Sequence, residues 1–250
     1  QISQFYGIEI NDFAVTVAKT ALWIAEAQMM QKTAQIMYQN LEFFPLKTYT
    51  NIVEGNALRV DWSDVISAKK LSYIMGNPPF IGGKMMDASQ KEDMLFIFGK
   101  KWKNLGNMDY VCCWYKKAAD YMKDTEIDCA LVSTNSITQG QAVASLLGLM
   151  LNDGIKINFA WKTFCWDSEA NLKAHVHCVI IGFSYKDRRT KIIFDNKPKK
   201  AKNINGFLID AENIIIDNRT KPISNVPEMD FGNMPNDGGN FLMTIEIMEI

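Results

Sequence analysis

No stretch of this chain stays apolar for the roughly eighteen residues a membrane-spanning helix needs, and no secretory leader is recognisable, so a spanning or exported protein is not expected. Charge of one sign is also lacking. The net charge is −1 over 250 residues, and nothing global announces a polyanionic partner. Metal-ligating residues are sparse. There are two histidines, His175 and His177, and five cysteines, Cys112, Cys113, Cys129, Cys165 and Cys178, with no CxxC pair. The histidines share one face of an expected strand and Cys178 points to the other, so a zinc site built from them with Cys165 is set aside in favour of strand packing. An odd number of cysteines in apolar runs reads as buried thiols of a reducing compartment, which makes a cytoplasmic location the expectation.

What is present is enough apolar material for a full core. Hydrophobic residues make up 48% of the chain, which suits one large domain or one and a half. The first 185 residues alternate strand and helix. Phe5–Ile10 reads as a short buried strand, and Asn11 or Asp12 caps a helix whose apolar face runs through Ala14, Val17, Ala18, Ala21, Leu22, Ile24 and Ala25. Strands are expected near Thr50–Leu58 and Leu71–Met75, then a mobile loop with a helical end from Gly82 to Gly99. A helix over Asp109–Lys123 precedes a strand at Cys129–Ser133, and a further helix covers Gln141–Leu151. Strands near Ile155–Trp161 and His177–Tyr185 follow, the latter expected to pair with Lys191–Phe194. Repeated strand–helix units with continuous apolar strands predict an α/β fold with a parallel, doubly wound sheet over residues 1–185.

From Lys186 to Lys202 the character changes. Eight basic residues stand against two acidic ones, a local +6 that leaves the remainder at −7. This reads as a basic linker or solvated face, or as a phosphate-contacting patch. Beyond it Asn, Pro, Gly and Asp become frequent and the helical pattern ends, so residues 203–250 read as the start of a second region or an extended arm.

The tetrapeptide Asn77-Pro78-Pro79-Phe80 closes the strand at Leu71–Met75. Two consecutive prolines cannot donate ladder hydrogen bonds, so the strand must stop there. The side-chain carbonyl of Asn77 and the backbone carbonyl of Pro78 are then left side by side, with the flat face of Phe80 adjacent. Two acceptors and an aromatic plate suit a planar amino group. An exocyclic amine is a poor nucleophile because its lone pair is delocalised into the ring. Hydrogen bonds from both its N–H groups would favour a pyramidal nitrogen, and they strengthen as positive charge develops. The chemistry fits methyl transfer from S-adenosylmethionine, which needs alignment more than a metal or a covalent nucleophile. A base within duplex DNA reaches such a corner only when flipped out, and Phe80 would receive it by stacking. Trp161, Phe164 and Trp166 read as core or rim, with the far wall of the flipped-base pocket as the alternative for one of them.

Ligands of such sheets sit at the carboxyl ends of strands. Glu9, at the end of the first strand, is placed to accept from ribose hydroxyls, or else is a carboxylate favoured by the following helix N-terminus. Asn56-Ala57-Leu58, after the second strand, is placed to read an adenine edge and flank its face.

These residues resemble the gamma-class, amino-directed DNA methyltransferases, whose motif is Asn-Pro-Pro followed by Tyr or Phe. Several strings are similar, more closely, to the methyltransferase region of the MmeI-like (type IIL) single-chain restriction–modification enzymes: Phe5-Tyr6-Gly7-Ile8-Glu9-Ile10-Asn11, Gly76–Lys84, and Ser133-Thr134-Asn135-Ser136-Ile137. The tail strings Lys221-Pro222-Ile223-Ser224, Phe231-Gly232-Asn233-Met234-Pro235 and Asp237-Gly238-Gly239 resemble that family's junction into its target-recognition domain.

The resemblance implies a Rossmann-like class I methyltransferase sheet, S-adenosylmethionine as cofactor, a flipped adenine in double-stranded DNA as substrate, and a bacterial cytoplasmic location. Asn77, Pro78, Pro79 and Phe80 would form the catalytic corner. Glu9 would hold the cofactor ribose, Ile10 would pack on its adenine, and Asn56 and Leu58 would complete that pocket. Asp109, Tyr110 and Lys84 would contact substrate. The chain departs from the pattern in three ways: Asn56 stands where an acidic residue is usual, the glycine-rich cofactor motif with its central strand is absent, and so is the amino-terminal nuclease region. The expectation is a core taken from a larger enzyme, inactive and weak in cofactor binding by itself, with open strand edges that invite dimer pairing or strand exchange. Other readings are a protein-glutamine or RNA-guanine methyltransferase, and a degenerate fold that only binds DNA or a partner.

Overall fold

The structure, a computed structural model, describes residues 2–37, 51–100, 102, 105–166, 176–215, 221 and 224–226. His175, the start of the second expected strand at Thr50, and most of the tail strings lie outside them. The chain divides into two compact units, Gln1–Ile216 and Asp217–Ile250. Every strand and helix among the described residues belongs to the first unit.

These strands form two sheets. In the smaller, β1 (Gly7–Glu9) and β2 (Ile52–Glu54) pair in parallel, Glu9 opposite Glu54. Between them runs α1 (Asp12–Met37). Asn11 is its cap, the side-chain oxygen accepting from the Ala14 N–H at 2.9 Å. The larger sheet has the order β3-β4-β6-β5-β7-β8. Its strands are β3 (Tyr73–Gly76), β4 (Asp128–Thr134), β5 (Lys156–Trp166), β6 (Val176–Ser184), β7 (Lys191–Asp195) and β8 (Lys197–Ala201).

That sheet is mixed, which corrects the expected parallel one. β3 runs parallel to β4 and β5 parallel to β7, but β6 lies antiparallel between β4 and β5. Only residues 167–175 separate β5 from β6, too few for the crossover of a dozen or more residues that a parallel pair requires. A second correction concerns β7, which pairs with β5 and not with the preceding strand β6. A third concerns the basic segment 186–202. It carries β7 and the antiparallel edge strand β8, so it belongs to the sheet and is no linker. Lysines along an outer strand also discourage edge-to-edge pairing.

The helices are α2 (Trp62–Val65), α3 (Ala88–Phe98), α4 (Cys112–Tyr121), α5 (Gly140–Ala142) and α6 (Gly148–Asn152), the last two joined by a π-helical turn over Val143–Leu147. α3 is the helical end expected of the Gly82–Gly99 segment, and it begins at a reciprocal capping box: Asp87 accepts from the Gln90 N–H at 2.9 Å, and the Gln90 side chain accepts from the Asp87 N–H at 3.0 Å. Trp102 donates its indole N–H to the Ser145 carbonyl at 3.0 Å, within the π turn.

The core lies between α4 and the larger sheet. β4 alternates half-buried and buried positions, and Cys129, Leu131 and Ser133 face inward. The Tyr115 ring stacks on Phe183 at 5.4 Å, and its hydroxyl donates to the Leu131 carbonyl at 3.1 Å. The Phe159 ring crosses Gly182 so closely that a Cβ there would fall 2.1 Å from it, so this position needs glycine. His177 is exposed and Cys178 buried, on opposite faces of β6 as expected. Cys165 is exposed, unlike the other four cysteines. Among the described residues no helix is long and apolar enough to cross a membrane.

Candidate active site

β3 ends at Gly76, and the backbone enters Asn77-Pro78-Pro79-Phe80 as the prolines dictate. Asn77 and Pro79 are exposed, Pro78 is buried and Phe80 is half-buried. Among the described residues no hydrogen bond engages the Asn77 side chain or the Pro78 carbonyl. An acceptor left unpaired on a buried residue is uncommon and awaits a donor.

The segment after this corner is held from below. The Ile81 carbonyl accepts from the Tyr110 N–H at 2.8 Å, and the Gly82 carbonyl accepts from the Met85 N–H at 2.8 Å. A Cβ on Gly83 would lie 2.6 Å from the Gly106 carbonyl oxygen, so only glycine permits this approach. Asp109 sits across from Gly82. Its carboxylate accepts from Thr134 at 2.9 Å and from Ser136, both just beyond or at the end of β4. A cavity of about 430 Å³ opens beside it, lined by Asn107, Asp109, Ser136, Gln139 and Gln141 among others. Lys84 is exposed at the rim of the segment.

At the other side, Glu9 closes β1. One carboxylate oxygen accepts from the Asn11 N–H at 3.1 Å, which orients the group at the α1 N-terminus. Its backbone carbonyl accepts from the Gly55 N–H at 2.8 Å, so the loops after β1 and β2 are tied together. Ile10, beside it, is 69% exposed. A half-buried carboxylate next to an open apolar side chain at a strand end fits a ribose and the ring attached to it.

Three expected contact residues are placed differently. Leu58 is 0% exposed and packs in the core, so it cannot flank a ligand. Its carbonyl and that of Val60 accept from the Lys117 ammonium at 2.8 and 2.6 Å. Asn56 turns its amide into the protein, the Nδ2 donating to Asp93 at 2.8 Å and the Oδ1 accepting from the Leu58 N–H at 2.9 Å. Tyr110 is buried, and its hydroxyl donates to Asp93 at 2.7 Å.

Asp93, on α3, was not foreseen from the sequence. It is 4% exposed and accepts from Asn56, Tyr110 and the Arg59 guanidinium, whose plane also covers the Phe96 ring at 4.6 Å. Burial alone would raise its carboxyl. The hydrogen bonds from Tyr110, Asn56 and Arg59, with the guanidinium charge, outweigh that and hold it below the usual range. Burial, and the bond to the Asp93 carboxylate, push the Tyr110 phenol well up, so it remains a donor. The neighbouring thiols of Cys112 and Cys113 are pushed up by burial and are unreactive.

Along the basic segment, Lys186 pairs with Glu126, Arg188 with Asp128 and Lys191 with Asp187. Among the described residues no carboxylate pairs with Lys197, Lys199, Lys200 or Lys202, all exposed. Trp161 stacks on Phe194 at 5.0 Å, at the β5–β7 side of the sheet.

Residues 1–195 match the family model described as the MmeI DNA-methyltransferase domain, and residues 210–249 match the MmeI target recognition domain. A DNA methyltransferase A of Bacillus subtilis (strain 168) is 45% identical over 249 residues, which are 98% of this chain and 28% of that protein. The structure of the type IIL restriction–modification enzyme MmeI in complex with DNA superposes with a TM-score of 0.91 at 46% identity, covering 100% of this chain and 34% of that one. The chain thus spans about a third or less of the length of these relatives.

Proposed function

Because this chain belongs to the family of MmeI DNA-methyltransferase domains, we propose that it carries the catalytic core of an adenine-specific, S-adenosylmethionine-dependent DNA methyltransferase of the bacterial cytoplasm. The observation that carries the reading is the pair of uncommitted acceptors, Asn77 Oδ1 and the Pro78 carbonyl, at the carboxyl end of β3 beside Phe80. We read the two sheets as parts of a Rossmann-like class I methyltransferase fold.

In this account Glu9 accepts from the cofactor's ribose hydroxyls, and Ile10 packs on its adenine. Asn56 and Leu58 serve from behind by shaping the loop. When bound, S-adenosylmethionine would supply a sulfonium methyl carbon, the bond from the amino nitrogen to it forming as its bond to sulfur breaks and a neutral thioether leaves. The flipped adenine stacks on Phe80 and donates its two amino hydrogens to Asn77 and Pro78. These bonds pyramidalise the nitrogen and tighten as it gains positive charge, and the surplus proton is then lost to solvent. Pro79 fixes the backbone, while Asp109 shapes the adjacent cavity and Lys84 meets the DNA backbone at its rim.

The match of residues 210–249 to a target recognition domain supports DNA over a protein glutamine or RNA guanine as substrate. Lys197, Lys199, Lys200 and Lys202 suit phosphate contacts on the same partner.

The test uses the full protein that contains this chain. Labelled methyl transfer from S-adenosylmethionine to mixed DNA is followed by digestion and separation of nucleosides. Label in methyladenosine is the expected result. Label only in methylcytosine would overturn the base assignment, and absence of label from DNA would overturn the reading as a whole.

A further inference from the structure

We propose that Asp93 is a positioning residue that holds the cofactor loop and the Asn77–Phe80 corner in one alignment. The inference rests on the functional reading above but concerns a residue that touches neither ligand.

Asp93 gathers donors from two separate parts of the chain. Asn56 and Arg59 come from the loop after β2, and Tyr110 from the turn that opens α4. Each donor is tied onward. Asn56 fixes the Leu58 N–H, and the loop carrying both is bonded through Gly55 to Glu9. Tyr110 grips the Ile81 carbonyl, one residue beyond Phe80. Two short hydrogen-bonded chains therefore leave one carboxylate. One reaches the residue assigned to the ribose, the other the backbone beside the residue assigned to the base.

The Asp93 side chain is 6% exposed, and α3 is anchored by buried Met94 and Phe98 on either side of the outward-facing Phe96. Stabilising the fold does not by itself call for a carboxylate here, since replacing buried charged groups with well-packed apolar residues is often neutral or stabilising. The carboxylate instead sets the register between two loops that must present a methyl donor and an acceptor in line. A misplacement of about 1 Å in such an alignment costs on the order of a hundredfold in rate.

The test is Asp93→Asn in the full protein, alongside the core substitution Ile181→Val as a control for lost stability. S-adenosylmethionine binding is measured by equilibrium dialysis, and the methyl-transfer rate under single turnover with cofactor and DNA saturating. Amide hydrogen exchange is followed at residues 56–60 and 81–84.

The expected result is about a tenfold loss in cofactor affinity together with about a tenfold loss in the saturated rate. Exchange should accelerate at both loops, while DNA affinity stays level. The swap Asn56→Asp/Asp93→Asn, which returns a carboxylate–amide pair to the site, should recover part of both losses. If Asp93→Asn fails to fold, Tyr110→Phe and Asn56→Ala each cut one chain, and should affect mainly the rate and mainly cofactor affinity, respectively.

The proposal is overturned if Asp93→Asn changes binding, rate and exchange no more than Ile181→Val does, or if the two milder variants leave both quantities unchanged. Failure of the parent protein to methylate DNA would instead overturn the functional reading. The exchange and dialysis results would still report on Asp93 in that case.

Discussion

α1 and α4 are both apolar-rich helices of this chain, and they end in different circumstances. α4 has ten residues, of which Cys112, Cys113, Tyr115, Ala118 and Ala119 are buried. α1 has 26 residues and buries Val15 alone, while Phe13 stands 73% and Ile36 77% exposed among the described residues. An apolar stripe therefore does not by itself make a core. α4 packs on β4 and β6 through Tyr115, whereas the stripe on α1 is only partly covered. The strands of the larger sheet differ in the same way. β6 buries most of its nine residues, but on β3 Tyr73 and Met75 are exposed. The conformational entropy lost on ordering a residue is similar in both places, so stability should concentrate around α4, β4 and β6.

The sharpest way to break this contrast is a pair of truncations. Tyr115→Ala should cost about 3–5 kcal/mol, because it empties a sealed site and strands Ser133 and the Leu131 carbonyl. Phe13→Ala should change stability by less than about 0.5 kcal/mol. Chemical denaturation of both variants measures this, and equal losses would refute the contrast.

A smaller effect is expected from acid. The Asp93 carboxyl is held below its usual range, so its contribution is complete above about pH 4 and is lost as pH falls through the lowered value. The parent should exceed Asp93→Asn by about 1–3 kcal/mol at pH 6. That gap should shrink towards pH 3, as read by denaturation at each pH. A gap that widened in acid would mean the carboxyl is not stabilised in its charged form.

The least perturbing test is thiol labelling of the native protein. Cys165 is exposed, whereas Cys112, Cys113, Cys129 and Cys178 are buried, with their thiols pushed up by burial. Of the five cysteines in this chain, Cys165 should react first and the other four only on unfolding. Early reaction of Cys113 would show that the packing around α3 and α4 opens readily.

Much of this architecture could be read from residue patterns. β4 was expected at Cys129–Ser133 and spans Asp128–Thr134, because alternating burial leaves a period-two signature. Strand direction leaves none. The antiparallel insertion of β6 is hinted at only by the short span before it, and β8 was hidden by a lysine pattern that resembles a linker. At the candidate site, Asn77–Phe80 stood out because two prolines impose their geometry locally. Asp93 could not stand out, since its donors lie 37, 34 and 17 residues away in sequence. Leu58 and Tyr110 were expected at the ligand surface for the same reason. Proximity to a strand end was visible, but the direction of the side chain was decided by long-range packing.

In the proposed mechanism Asn77 acts on the amino group of a flipped base. Asn77→Ala in the full protein tests it most directly, with methyl transfer, S-adenosylmethionine affinity and DNA affinity measured on one preparation. The saturated methyl-transfer rate should fall by at least about a hundredfold, with both affinities nearly unchanged. Retained turnover at the parent rate would contradict that mechanism.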